Sequence, residues 1–246
     1  MEHKFWADIS RADIGSVYSD LWQKWGATPF WPEGTKEKRG RKMARVEKFT
    51  EHAIVNQLRH NLRQIKYSAN VDIDERRLEQ NYELGPDRGV TAYDYFQKRK
   101  AELYCYRRAD VKVMAGWVVT APKDLSLKLH DKFFQETYNF LEQRYGKENV
   151  IQAIVHKDES GQPHLHFDFI PVAPDEKHHC EKICANDVLN RKELRNFHPD
   201  LQKHLKEHGV DARVLTGITR EQGGNRTVKE MKQERERQRQ AERLRF

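Results

Sequence analysis

The sequence predicts an α+β fold, with a mainly antiparallel β-sheet carrying helices packed on one face and a metal site on the other. Three stretches carry that expectation. Residues 150–172, V-I-Q-A-I-V-H-K-D-E-S-G-Q-P-H-L-H-F-D-F-I-P-V, place two apolar runs around the turn formers Ser160, Gly161, Gln162 and Pro163, the pattern of a β-hairpin. Residues 111–120, V-K-V-M-A-G-W-V-V-T, are rich in β-branched side chains and read as a central strand. Between them, Phe133, Phe134, Thr137, Phe140, Leu141 and Tyr145 recur on one helical stripe, suited to cover the apolar face of the hairpin.

Taken in order, residues 1–40 read as an N-terminal extension. Trp6, Trp22, Trp25 and Trp31 lie here, and Ile14, Val17, Tyr18, Leu21, Trp22 and Trp25 repeat at the spacing of an amphipathic helix. Pro29, Pro32 and Gly34 then break the pattern, and K-E-K-R-G-R-K follows as a basic linker. A docked helix explains the tryptophans more simply than stacking on nucleic-acid bases. A domain over residues 41–217 follows, opening with a short strand over 43–49. Residues 89–108 read as a helix with an exposed basic character. The helix of the apolar stripe is expected over 124–145, capped by Asp124 and stopped by Gly146. Asn190 to Glu193, N-R-K-E, is a capping box opening a helix through about His208, with Gly209 as its stop. Residues 218–246 are charged all round and read as a solvated helix or tail.

Side chains alternate along a strand, so His164, His166 and Asp168 share one face while Leu165, Phe167 and Phe169 share the other. His156 ends the partner strand within reach of the first two. Three imidazoles converging there, with Asp158 and Glu159 in the turn, can hold a divalent metal. Manganese, zinc, cobalt or nickel suits such a donor set, and magnesium does if water and phosphate oxygens complete its shell. Histidine pairs on strands are commonly solvated instead, but so many titratable groups beside apolar strands call for a compensating charge. The run H-H-C-E-K-I-C at 178–184 holds zinc-ligand types. No second cysteine pair at zinc-finger spacing follows, so no zinc site is expected there.

Composition bounds the partners. In 246 residues, 37% are hydrophobic and 34% charged, and the net charge of +7 favours an anionic partner, nucleic acid being the common one. No apolar run is long enough to span a bilayer, and the start M-E-H-K-F-W-A-D lacks the apolar region of a signal peptide. Cys105, Cys180 and Cys184 form no disulfide framework, which fits a reducing cytoplasm.

H-N-L-R at 60–63, D-I-D-E-R-R-L-E-Q-N-Y-E-L at 72–84 and H-K-D-E-S-G-Q-P-H-L-H-F at 156–167 occur in an order that resembles the Mob/Pre class of plasmid mobilisation and recombination relaxases, histidine-hydrophobe-histidine endonucleases. The similarity runs from roughly residue 45 to 228. The chain departs from the pattern in a turn after Glu159 that is one residue longer, in the additional residues 1–40, and in lacking the long coiled-coil tail of relatives. The resemblance implies a relaxase-like fold and metal-dependent nicking and rejoining of one plasmid strand at an origin of transfer, through a covalent 5′-phosphate. It makes His156, His164 and His166 metal ligands, with manganese or magnesium as the cation. It makes His60 the nucleophile, Arg63 its support or a phosphate contact, and Glu159 the acid that positions or deprotonates it. Tyr67 and Tyr82 stand in reserve, since most other relaxases use tyrosine. The implied partners are plasmid DNA, single-stranded or extruded as a hairpin, and a conjugative coupling protein or type IV secretion system. Two rivals remain at this point: a rolling-circle replication initiator or transposase of the same superfamily, and a non-catalytic DNA-binding module with a structural metal.

Overall fold

The computed structural model describes residues 43–65 and 73–214. The expected N-terminal extension, Tyr67 and the charged tail lie outside them. Five strands form an antiparallel sheet in the order β1-β3-β5-β4-β2, built from Ala44–Thr50, Tyr82–Glu83, Lys112–Thr120, Val150–His156 and His164–Phe169. The hairpin predicted over 150–172 is the β4-β5 pair, with β5 at the centre of the sheet. Strands β6 (Val172–Asp175) and β7 (Cys180–Ile183) pair separately in a small hairpin that the sequence reading did not anticipate.

One face of the sheet carries the main core. Helix α3 (His130–Tyr145) lays Phe133, Phe134, Thr137 and Leu141 over Leu165, Phe167 and Phe169, as the stripe predicted. Helix α5 (Arg191–Glu207) adds Phe197, Leu201 and Leu205, and the Trp117 and Phe197 rings stack at 3.6 Å. The buried polar tips of Trp117 and Tyr145 on this face are paired, as burial requires. Trp117 Nε1 donates to the Tyr145 hydroxyl, which donates to Glu193, and Glu193 also accepts from Arg144. Only the N-cap half of the capping box forms: the Asn190 side chain accepts from the amides of Lys192 and Glu193, while the Glu193 carboxylate turns to Arg144 and Tyr145. Pro199 lies inside α5 without ending it, since the buried stripe outweighs one missing backbone bond.

The other face carries a second core. Helices α1 (Glu51–Asn61) and α2 (Ala92–Ala101) bring Ile54, Leu58 and Phe96 against Met114, Ile151 and Ile170. Helices thus cover part of both faces, and the histidines sit beside α1 on this second one. A four-residue helix, α4 (Ala185–Val188), links β7 to α5.

Two boundaries differ from expectation. The helix expected over 89–108 starts after the Thr91 cap and stops at Ala101. Beyond it the chain is drawn to β7, where Tyr104 exchanges backbone bonds with Glu181 and Ile183. Asp124 does not cap α3. Residues 122–126 fold into a turn closed by Leu125 N–H to Pro122 O, a 3₁₀ turn follows over Leu127–Leu129, and α3 begins at His130.

Candidate metal and nicking site

The alternation of β5 puts His164, His166 and Asp168 on the face opposite Leu165, Phe167 and Phe169, and His156 is the direct cross-strand partner of His164. The three imidazole centroids lie 4.6 to 5.4 Å apart. One ring nitrogen of each falls within 4.8 Å of the others.

Hydrogen bonds fix the tautomers of two rings. His156 Nε2 lies 2.7 Å from the Asn61 carbonyl and must donate to it, which leaves the Nδ1 lone pair free. His164 Nδ1 donates to the Gln162 carbonyl at 3.2 Å, which frees its Nε2. His156 Nδ1 and His166 Nε2 are buried without any hydrogen-bond partner. Two unpartnered nitrogens facing one point would be costly without a ligand between them. Burial pushes all three imidazoles towards the neutral, ligating form, His156 down to about 3, with the nearby Arg63 charge adding to the effect. Carbonyl acceptors behind the donors are the usual outer support of a metal-bound histidine. The residues present therefore fit a divalent cation, and an all-imidazole set favours manganese, zinc, cobalt or nickel over magnesium.

Helix α1 delivers the H-N-L-R motif to this point. His60, in its last turn, sets its ring edge-on to His166 at a centroid distance of 6.2 Å. Burial lowers its pKa, and Arg63 lowers it further, while the charges of Glu159 and Asp158 oppose them. Asn61 is buried, and its Nδ2 donates to Asp168 at 2.7 Å and to Gln152 at 3.1 Å. One residue thus ties α1 to β4 and β5 through its amide and holds His156 through its carbonyl. Asp168 is itself buried, which pushes its carboxyl up to about 7. It needs Gly116 opposite, because a Cβ there would run into its carboxylate.

Past the helix end, Arg63 takes up a positive φ of 57° and turns its guanidinium back on the hairpin turn. Nε and Nη2 grip Asp158 at 2.7 and 2.8 Å, and Nη2 also reaches Glu159 at 2.9 Å. Burial opposes ionisation of Asp158, but bonds from Arg63 and Asn81 hold its carboxyl below the usual range. Asp158 is fully buried, so this is a closed clamp on the turn between two ligand strands.

His60, Arg63, Glu159, His156, His164 and His166, predicted from separate stretches, therefore converge. Tyr82 does not. It lies on β2, packs towards the main core and donates its hydroxyl to Asp131 at 2.9 Å, on the opposite face of the sheet. In the H-H-C-E-K-I-C run, His178 bonds Asp175 at 2.7 Å and stacks on Tyr104. Sequence reasoning gave no role to Asn61 or Gly116, although a lone glycine in a β-branched strand commonly marks a close approach.

The family model described as plasmid recombination enzyme, Mob_Pre, matches residues 38–233. The chain is 32% identical to the plasmid recombination enzyme of Bacillus thuringiensis over 68% of its own length and 37% of that protein's. It is 30% identical to the enzyme so named from Lactiplantibacillus plantarum, over 79% of this chain and 54% of the other. The chain thus spans between 37% and 54% of the length of these curated relatives. Among solved structures it resembles the MobM relaxase domain bound to plasmid pMV158 oriT DNA in a Mn-bound crystal structure at pH 6.8. That likeness has a TM-score of 0.61 and 27% identity, and covers 77% of this chain and 96% of that one. A second Mn-bound MobM structure, at pH 4.6, matches with a TM-score of 0.60 and 27% identity over 77% of this chain and 97% of that chain. With the family model covering most of its length and the relaxase-domain architecture in common, the chain belongs to the plasmid recombination enzyme (Mob_Pre) family.

Proposed function

We propose that this protein is a metal-dependent relaxase that nicks one strand of plasmid DNA at an origin of transfer and later rejoins it. The observation that carries the reading is His60 poised 6.2 Å from His166, at the edge of three imidazoles whose ligand atoms lie within 4.8 Å of one another, with buried, unpartnered nitrogens on His156 and His166. His156, His164 and His166 would hold the divalent cation, manganese by preference, whose charge would neutralise the non-bridging oxygens of the scissile phosphate. The solved relative, MobM, binds manganese and oriT DNA, which supports both assignments.

His60 acts as the nucleophile. A neutral imidazole nitrogen attacks phosphorus, an N–P bond forms and the P–O3′ bond breaks, and the leaving 3′ oxygen takes up a proton. The 5′ end stays on the protein as a phosphoramidate, and return of the 3′ hydroxyl reverses the step. Arg63 aligns the turn carrying Glu159, and Glu159 lies close enough for its charge to act on His60. The substrate is single-stranded or extruded as a hairpin, bound in a salt-dependent manner by the basic surface. The nicking domain spans residues 41–217, with 1–40 as an extension and 218–246 as a charged tail. A cytoplasmic location, and delivery of the nicked strand to a coupling protein or type IV secretion system, complete the proposal. Among the described residues no helix is long and apolar enough to cross a membrane.

The test is relaxation of a supercoiled plasmid bearing the cognate origin, with manganese supplied. Open circles carrying protein on the 5′ end, mapped by mass spectrometry to His60, are expected. No conversion with any divalent metal would favour a binding module, and an adduct on tyrosine would overturn the nucleophile assignment.

A further inference from the structure

A second group of metal-ligating side chains lies where α3 meets α5, against the main core and so on the other side of the sheet from His60. Glu136 comes from α3, and His204 and His208 come from the last turn and C-cap of α5. Histidines four apart on a helix share one face. Their rings stack at 4.1 Å with 25° between planes. One ligand atom of each of the three residues falls within 4.8 Å of the others.

Three details give this group the character of a binding site. His204 Nε2 is buried with no hydrogen-bond partner, although it lies 3.4 Å from Glu136 Oε2. The two side chains keep only 11% and 16% of their exposure, so water does little to satisfy them. His208 Nδ1 donates to the His204 carbonyl at 2.8 Å, which fixes the tautomer and leaves its Nε2 lone pair free. Behind the carboxylate, Asn139 Nδ2 approaches Glu136 Oε2 at 3.4 Å, and Gln135 in turn donates to Asn139 at 3.1 Å. An oriented histidine and a supported carboxylate are what metal ligands need behind them.

We propose that Glu136, His204 and His208 form a second divalent-metal site, of the zinc type, that clasps the end of α5 to α3. Two imidazoles and one carboxylate are a recurrent zinc set, with a fourth position open to water. The set differs from the all-imidazole group on the other face, so the two sites differ in metal preference as well as in place. A cation here cross-links two helices whose contact otherwise rests on apolar packing, the Arg144 ion pairs and the Tyr145–Glu193 hydrogen bond. It binds the folded chain alone and so raises its stability by mass action.

The experiment uses the full chain, equilibrated with buffered zinc at submicromolar free concentration, with bound metal counted by mass spectrometry. Wild type is expected to hold two equivalents. His208→Ala and Glu136→Gln should each hold one, and each should lose part of the zinc-induced rise in melting temperature. His164→Ala should also hold one, and the double variant His164→Ala/His208→Ala none. Cobalt substitution adds a spectroscopic reading, since the α3–α5 absorption band should vanish in Glu136→Gln, which keeps the shape of the side chain. Nicking with manganese should be unchanged in His208→Ala. If Glu136→Gln and His208→Ala both retain two equivalents, or if wild type holds a single equivalent that His164→Ala alone removes, the clasp is overturned. A single equivalent removed by His208→Ala and not by His164→Ala would leave the clasp standing and count against the three-histidine centre instead.

Discussion

The Asn61 carbonyl accepts the Nε2 proton of His156 at 2.7 Å, so the residue beside the candidate nucleophile sets which nitrogen of a candidate ligand keeps its lone pair. The two halves of the site are thus coupled through one peptide unit. The same residue's amide is anchored on Asp168 and Gln152. A shift of the α1 end would therefore disturb His60 and His156 together.

Replacing His60 with alanine should lower nicking by on the order of a thousand-fold or more, as loss of a nucleophile does, with metal binding retained. Tyr82→Phe should nick at the wild-type rate, because that hydroxyl is engaged with Asp131 on the far face. The protein–DNA bond should break in acid, as phosphoramidates do. Denaturing gels before and after acid treatment read the result, and an acid-stable adduct lost in Tyr82→Phe would refute the assignment.

Arg63→Ala should destabilise the fold by about 3–5 kcal/mol, since it leaves the fully buried Asp158 carboxylate without its charged partner. Arg63→Lys keeps the charge but not the two-pronged grip, and should fall between alanine and wild type. Urea titration at constant pH measures both. An alanine variant as stable as wild type would mean that the clamp contributes nothing.

Gly116→Ala should cost about 1–3 kcal/mol, because its methyl group would collide with the Asp168 carboxylate. The same change made in an Asp168→Ala background should cost much less. A double-mutant cycle from melting curves isolates this coupling, and strict additivity would show that the two residues do not meet.

Nicking at saturating manganese should decline as pH falls, with its acid limb below pH 6.5. Burial, aided by Arg63, lowers the His60 pKa, so the neutral ring able to attack persists to lower pH than that of a free histidine. Glu159 works in the opposite direction, since its negative charge favours the protonated ring. Glu159→Gln should therefore move the acid limb to still lower pH. Rate profiles of the two proteins decide this, and an upward shift would contradict the electrostatics.

What could be read in advance was local and periodic. Two-residue alternation divided Leu165, Phe167 and Phe169 from His164, His166 and Asp168, and the α3 stripe identified what would cover the apolar side. The N-cap at Asn190 was legible because its partners lie within three residues. Competition between distant segments was not legible. Residues 102–108 carry helical composition, but Tyr104 among them bonds to β7, which no local pattern announces. Asp124 is a good capping residue, yet the turn at Pro122 delays the helix. The link between Arg63 and Asp158 spans 95 positions and needs a left-handed backbone at a residue that rarely adopts one. The meeting of His60 with the hairpin came from family resemblance, because only the packing of α1 against the sheet sets it.

Strand β5 is flanked on both sides, by β3 and β4, so His164 and His166 cannot move without breaking two hydrogen-bond ladders at once. A cation arriving at this face meets a finished mould. Selectivity among metals is then decided by fit to a fixed spacing, and amide protons at these two positions should be among the last to exchange whether or not an ion is bound.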